Sequence, residues 1–151
     1  MSAVIRIMGE DDPEEVIFSL IEHMMKKVRE NILAQFKKHQ FPVTRDQWII
    51  IKQLSEMNGT TQKELAAYTL KDPAALTRIL DLLEKKGLVQ RRSNHKDRRT
   101  FKIYLTVEGS RLVNKMTPVV QEIKKMALNG ISKKDIAVME NSLKKMHSNL
   151  A

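Results

Sequence analysis

Thr77 and Arg78 lie side by side in a stretch, residues 73–86, that also carries Leu76, Ile79, Leu80 and Leu83. At 3.6 residues per turn those four apolar residues share one side of a helix. Ala74, Thr77, Arg78, Asp81 and Lys85 share the opposite side. The N-terminal half of that open side has no bulky side chain except Arg78. Small residues for close approach, a hydroxyl, and an Arg able to bond guanine through two N–H groups suit a helix that enters a major groove. An ordinary amphipathic helix with a solvated face has the same pattern, so this segment alone does not decide.

The residues that follow weigh in. Lys85, Lys86, Arg91, Arg92, Lys96, Arg98, Arg99 and Lys102 fall within eighteen positions, with Asp97 as the only acid after Lys85. Like charges at that density repel one another unless an anion is the partner. Leu88 to Arg92 reads as extended, and Phe101, Ile103 and Leu105 alternate with Lys102, Tyr104 and Thr106. A period of two marks a half-buried strand. The simplest reading is a β-hairpin with a long polar, basic loop, Ser93 to Thr100. Directly after a groove-entering helix, such a ribbon acts as a wing, lying over the phosphate backbone with Arg in the narrow minor groove.

The elements that must hold these groups have visible starts. Asp12-Pro13-Glu14-Glu15 caps a long helix running to about Lys38, with Ile17, Ile21, Met24, Val28 and Ile32 in one stripe before Phe41-Pro42. Thr44-Arg45-Asp46-Gln47 and Thr61-Gln62-Lys63-Glu64 are capping boxes for two helices, Arg45 to about Met57 and a short one through Tyr68. Asp72-Pro73 starts the fourth helix and Gly87 ends it. After Thr106 the helical period returns at Leu112, Met116, Val119, Ile123 and Met126, with Pro118 expected to kink that helix. Asn129-Gly130 breaks the chain, and Ser132-x-x-Asp135 opens a sixth helix. Its Ile136, Met139, Leu143, Met146 and Leu150 step by three and four, the repeat of a seam between packed helices. The fold expected is mainly α with a small β-hairpin wing (α+β).

Composition bounds the rest. The 151 residues suit one domain, and the 27 Lys and Arg against 18 Asp and Glu leave a net charge of +9. That surplus favours an anionic partner, nucleic acid above all. Absence of cysteine excludes disulfides, thiolate metal sites and thiol redox switches. The run Trp48-Ile49-Ile50-Ile51 is too short to cross a bilayer, and residues 1–12 do not read as a secretion signal. No membrane partner and a cytoplasmic location are expected. His23, His39, His95 and His147 are scattered, His95 reading as a solvated side chain of the wing. No Gly-rich phosphate loop, nucleophile elbow or His-Glu-x-x-His occurs. Neither an enzyme, a metal site nor a cofactor is expected.

Thr61 to Tyr68, Leu76-Thr77-Arg78, Leu83-Glu84-Lys85-Lys86-Gly87-Leu88-Val89, Asp97-Arg98-Arg99 and Leu105-Thr106-x-x-Gly109 together resemble the MarR family of bacterial regulators. The likeness covers nearly the whole chain. The Asp-x-Arg wing followed by Leu-Thr-x-x-Gly is its more specific part. It implies a winged helix-turn-helix homodimer, a repressor on a pseudo-palindromic double-stranded DNA operator. The first, fifth and sixth helices would form the dimer interface. It also implies that Pro73, Ala74, Thr77 and Arg78 face bases and phosphates. Wing contacts fall to Lys96, Asp97, Arg98 and Arg99, with Arg99 entering the minor groove and Asp97 holding it. A hydroxyl-rich helix start is usual there; Asp72-Pro73-Ala74-Ala75 replaces it, which lowers the base readout expected from that end. Residues 1–151 then form one domain, with 44–106 as the DNA-binding lobe and 12–40 and 107–151 as dimerisation helices. Dimer contacts are expected from Ile17, Ile21, Ile136, Met139, Leu143, Met146 and Leu150. A small aromatic or phenolic effector is implied as well, with the methionines as candidate pocket lining. The alternative is a winged-helix protein-interaction adaptor without specific DNA binding.

Overall fold

A computed structural model of the chain describes residues 13–69, 71–94 and 97–151, with the side chains of 13, 94 and 97–100 outside that description. The elements are α1 (Pro13–Lys38), α2 (Arg45–Glu56), β1 (Thr60–Thr61), α3 (Gln62–Thr69), α4 (Pro73–Lys85), β2 (Val89–Asn94), β3 (Asp97–Leu105), α5 (Val107–Ala127) and α6 (Lys133–Asn149). Helix starts follow local chemistry. Thr44 Oγ1 accepts from the Gln47 N–H while Gln47 Oε1 accepts from the Thr44 N–H, closing the first capping box. Asp72 Oδ1 accepts from Ala75 N–H at 2.8 Å, and Pro73 occupies the first turn of α4. Ser132 Oγ accepts from Asp135 N–H at the start of α6. Each cap satisfies a backbone donor that the helix itself leaves open.

The core collects Ile50, Ile51 and Leu54 from α2, Leu65 from α3, and Leu76, Leu80 and Leu83 from α4. Val89, Ile103 and Leu105 close it from the sheet, and Val113, Met116, Val120 and Ile123 from α5. Each large apolar side chain withdrawn from water there contributes about 1.5–3 kcal/mol before the entropy of ordering is counted. Only the C-terminal half of α1 reaches this core, through Ile32 and Phe36, whose ring meets Trp48 edge-on at 6.3 Å.

The sheet differs from a plain hairpin in three ways. Its order is β1-β3-β2, because Thr60 and Thr61 pair antiparallel with Ile103 and Lys102. The β2–β3 ladder runs from Val89↔Leu105 out to Asn94↔Asp97, with an irregularity at Ser93/Asn94, so residues 93–94 and 97–100 of the long loop expected over 93–100 are strand instead. Ile103 and Leu105 are buried as their alternation requires, but Phe101 is exposed, since the ribbon there has left the core behind. α5 continues as one helix through Pro118.

α6 buries none of its residues within the subunit. Met139, Leu143 and Leu150 are exposed, and Ile136 and Met146 are half-buried. On α1, Ile17 and Met24 are exposed and Ile21 and Val28 half-buried. Val28 packs against the core, but the exposed members of both stripes, which have the period of packed helices, are not covered by the described residues.

Candidate nucleic-acid interface

α4 is oriented by its apolar side. With Leu76, Leu80 and Leu83 almost fully buried, the opposite side must point outward, and Ala74, Arg78, Asp81 and Lys85 are exposed. α3 packs before it, and the β2–β3 ribbon rises directly after it.

Thr77 is less free than its helical position suggests. Its Oγ1 donates to the Pro73 carbonyl oxygen at 2.8 Å and accepts from Gln62 Nε2 at 2.6 Å. A hydroxyl oxygen has two lone pairs, so one acceptor site remains open. The bond also fixes the Gln62 amide beside the exposed side of α4. Gln62 was legible in the sequence only as a capping-box residue, and its place next to Thr77 comes from the α3–α4 packing.

The basic stretch divides into engaged and open cations. Lys86 Nζ donates to the Pro42 carbonyl oxygen at 2.6 Å and to Gln47 Oε1 at 2.9 Å, tying the end of α4 to the start of α2. Arg91 forms ion pairs with Asp81 at 2.7 Å and Glu84 at 2.6 Å. Burial pulls the Arg91 pKa down, but the hydrogen bonds and charges of Asp81 and Glu84 outweigh it and hold the pKa above its ordinary value. Arg91 therefore stays charged. Arg92 is exposed, with its guanidinium 5.0 Å from the centroid of the Tyr104 ring, and lies opposite Lys102 in the ladder. Asp81, placed by helical period on the groove-facing side, belongs to the Arg91 pair. Sequence spacing gave no sign of it, because the pair forms only when β2 folds back along α4.

Asp97, Arg98 and Arg99 are strand residues at the start of β3. Their side chains, with Lys96 and His95, lie outside the described residues.

At the other end of the ribbon, Glu64 Oε2 accepts from the Thr61 N–H and Oγ1, each at 2.8 Å, and from Thr60 Oγ1 at 3.0 Å. The Thr61 backbone bond, then the two hydroxyls, hold the Glu64 carboxyl below the usual carboxylate range. This joins β1 to α3 and seats the short helix against the sheet. Among the described residues, no group of three or more His, Asp or Glu could hold a metal ion. No helix there is long and apolar enough to cross a membrane.

Helix, short helix, outward-facing helix and three-stranded ribbon make a winged helix-turn-helix lobe, here carried on long flanking helices. Residues 43–101 match the model of the MarR family. The chain is 28% identical over 108 residues to the uncharacterized HTH-type transcriptional regulator YsmB of Bacillus subtilis (strain 168), covering 72% of this chain and 74% of that protein. Among solved structures it is similar to a mutant MarR from E. coli complexed with operator DNA, with TM-score 0.78 and 25% identity over 90% of this chain and 99% of that one. It shares its fold with a MarR-family regulator from Silicibacter pomeroyi, TM-score 0.76 and 21% identity, over 91% of this chain and 92% of that one. Through residues 43–101 the chain is thus similar to the MarR family of transcriptional regulators. That family and these relatives are regulators rather than enzymes.

Proposed function

We propose that the chain acts as a homodimeric repressor that binds a pseudo-palindromic operator and is a binding protein, not an enzyme. The carrying observation is the open side of α4, with Ala74 and Arg78 exposed, backed by a fully buried Leu76 and Leu83 and flanked by the basic ribbon. In this reading Pro73, Ala74, Thr77 and Arg78 meet bases and phosphates. Lys96, Arg98 and Arg99 serve the wing, with Asp97 steadying Arg99. Residues 44–106 are the DNA-binding lobe, and 12–40 and 107–151 are dimerisation helices in the same domain. The site of action is the cytoplasm.

Dimerisation is supported by α6 and its C-cap, where Met139, Leu143 and Leu150 are exposed and Ile136 and Met146 only half-buried. Ile17 of α1, exposed, and Ile21, half-buried, are assigned to the same interface. Burying such stripes against a two-fold copy is the ordinary solution for an oligomer of one chain. A small aromatic or phenolic effector is supported by two adjoining grooves between α1 and α5, about 320 and 390 Å³, which share Asn31, Ile123 and Met126. Those volumes suit a small ligand, and Met24 with Met126 gives an adaptable apolar lining.

A mobility-shift titration with genomic duplex fragments at rising salt tests the reading. A specific complex whose affinity falls steeply with salt is expected, with a log–log slope of about −0.9 for each phosphate neutralised. The variant Arg98→Ala/Arg99→Ala, if folded, should lose most of that affinity. Full retention would remove the wing from the account. Failure of the wild type to bind any duplex at low salt would favour a protein-interaction adaptor.

A further inference from the structure

β2 is an outer strand of the sheet, so N–H groups on its free edge need a partner other than a strand. At Arg91 that N–H donates to Glu84 Oε1 at 3.1 Å. The side chain of the same residue then forks. Nη1 donates to Glu84 Oε2 at 2.6 Å, and Nη2 lies 2.7 Å from Asp81 Oδ1. Asp81 and Glu84 stand three residues apart on α4, a spacing that puts both carboxylates within reach of one planar guanidinium. One residue of the wing thus holds two successive acids of the outward-facing helix, by backbone and side chain together.

Its place in the ribbon matters. Leu88 and Val89 are anchored in the core, whereas Arg92 and Ser93 are exposed. Arg91 therefore sits where the ribbon leaves the lobe. The end of β2 lies three residues further, about 10 Å at the rise of a strand. A tilt of about 6° at Arg91 would shift that end by about 1 Å, enough to spoil a positioned contact.

We infer that Arg91 is a positioning residue, which fixes the angle between the wing and α4 through Asp81 and Glu84 without itself touching DNA. This rests on the duplex-binding reading above. Two explanations of a basic wing residue then separate by sign. If Arg91 were a phosphate contact, removing Asp81 and Glu84 would free its charge, and binding would tighten. If it positions the wing, removing them unfastens β2 from α4, and binding weakens although the protein has become more positive.

The experiment compares wild type, Asp81→Ala/Glu84→Ala and Arg91→Met on one duplex selected by the wild type, across a salt series, with thermal melts to establish folding. Both acids are exposed and alanine favours helix, so the double variant is expected to fold. Affinity is expected to fall by about three- to tenfold in both variants, the scale of a partly exposed charge-assisted contact. The salt slope of Arg91→Met should equal that of wild type. Tighter or unchanged binding by the double variant overturns the inference. So does a slope for Arg91→Met that is shallower by about one unit, the mark of a lost phosphate contact. In either case wild-type binding stands. A wild type that binds no duplex removes the underlying reading as well, so the two failures are distinguishable.

Discussion

Gly109→Ala should destabilise the protein although it adds a good helix former to the third position of α5. A Cβ built on Gly109 would overlap the carbonyl oxygen of Leu88, and would lie 3.0 Å from Leu105 Cδ2 and 3.1 Å from the Leu88 carbonyl carbon. The Leu105 methyl can rotate aside, but the Leu88 peptide cannot. That carbonyl already accepts from Thr106 N–H at 3.1 Å. Thr106 Oγ1 donates to the Gly87 carbonyl oxygen at 2.6 Å and accepts from Gly109 N–H at 3.0 Å. Making room for a methyl group means separating α5 from the chain entering β2, which loosens the two bonds that Thr106 makes to Leu88 and Gly87. Overpacking of this kind costs about 1–3 kcal/mol, and one weakened hydrogen bond adds about 1 kcal/mol. Against this, alanine in place of glycine in a helix returns about 1 kcal/mol. The net expectation is a loss of about 2 kcal/mol, or roughly 4–8 °C in Tm for a chain of this size.

Urea titration followed by circular dichroism, at one fixed protein concentration, measures it. Gly87→Ala is the internal comparison. Gly87 has φ +69 and open space around its missing Cβ, so the penalty there is conformational only, about 1 kcal/mol. A Gly109→Ala variant as stable as wild type, or more stable than Gly87→Ala, would refute the steric reasoning. The same joint connects the lobe to the helices proposed to dimerise, so Gly109→Ala is also expected to weaken duplex binding.

Leu143→Glu places a charge in the α6 stripe and should give a monomer with a folded lobe. A dimeric mass by light scattering at micromolar concentration would count against α6 as the interface. Arg78→Ala should cost about 1–3 kcal/mol of duplex affinity and relax base preference, as read by selection on a randomised duplex. An equal loss on all sequences would make Arg78 a phosphate contact instead. The Glu64 carboxyl is depressed in the fold, so its contribution to stability is complete above the unfolded value of 4.5 and fades as pH falls through the lower folded one. Wild type should therefore exceed Glu64→Gln in urea stability at neutral pH, with the gap closing below pH 4.5. A gap that is constant with pH would show that the Thr60 and Thr61 bonds do not favour the ionised form.

The candidate site was legible wherever one element sufficed to reveal it. The 3.6 period of 73–86 separates Arg78 from Leu76, Leu80 and Leu83, and the structure keeps that separation. What escaped were pairings between different elements, even consecutive ones, because they depend on how one packs against the next. Thr77 looked like a free hydroxyl until α3 brought Gln62 to it. Arg91 reads as one of eight clustered cations until β2 doubles back onto Asp81 and Glu84.

Taken by themselves, the residues determined the helix boundaries, since a cap such as Thr44, Asp72 or Ser132 acts on donors within three positions of itself. They also determined which faces are apolar, because periodicity is a property of neighbours along the chain. Only the tertiary structure decided that Thr60 and Thr61 form a strand, that Phe101 lies beyond the core, and which charges neutralise each other. Those outcomes depend on where a distant segment arrives. The free energy that settles them is shared across the whole packed lobe, with no local signature in any one stretch of it.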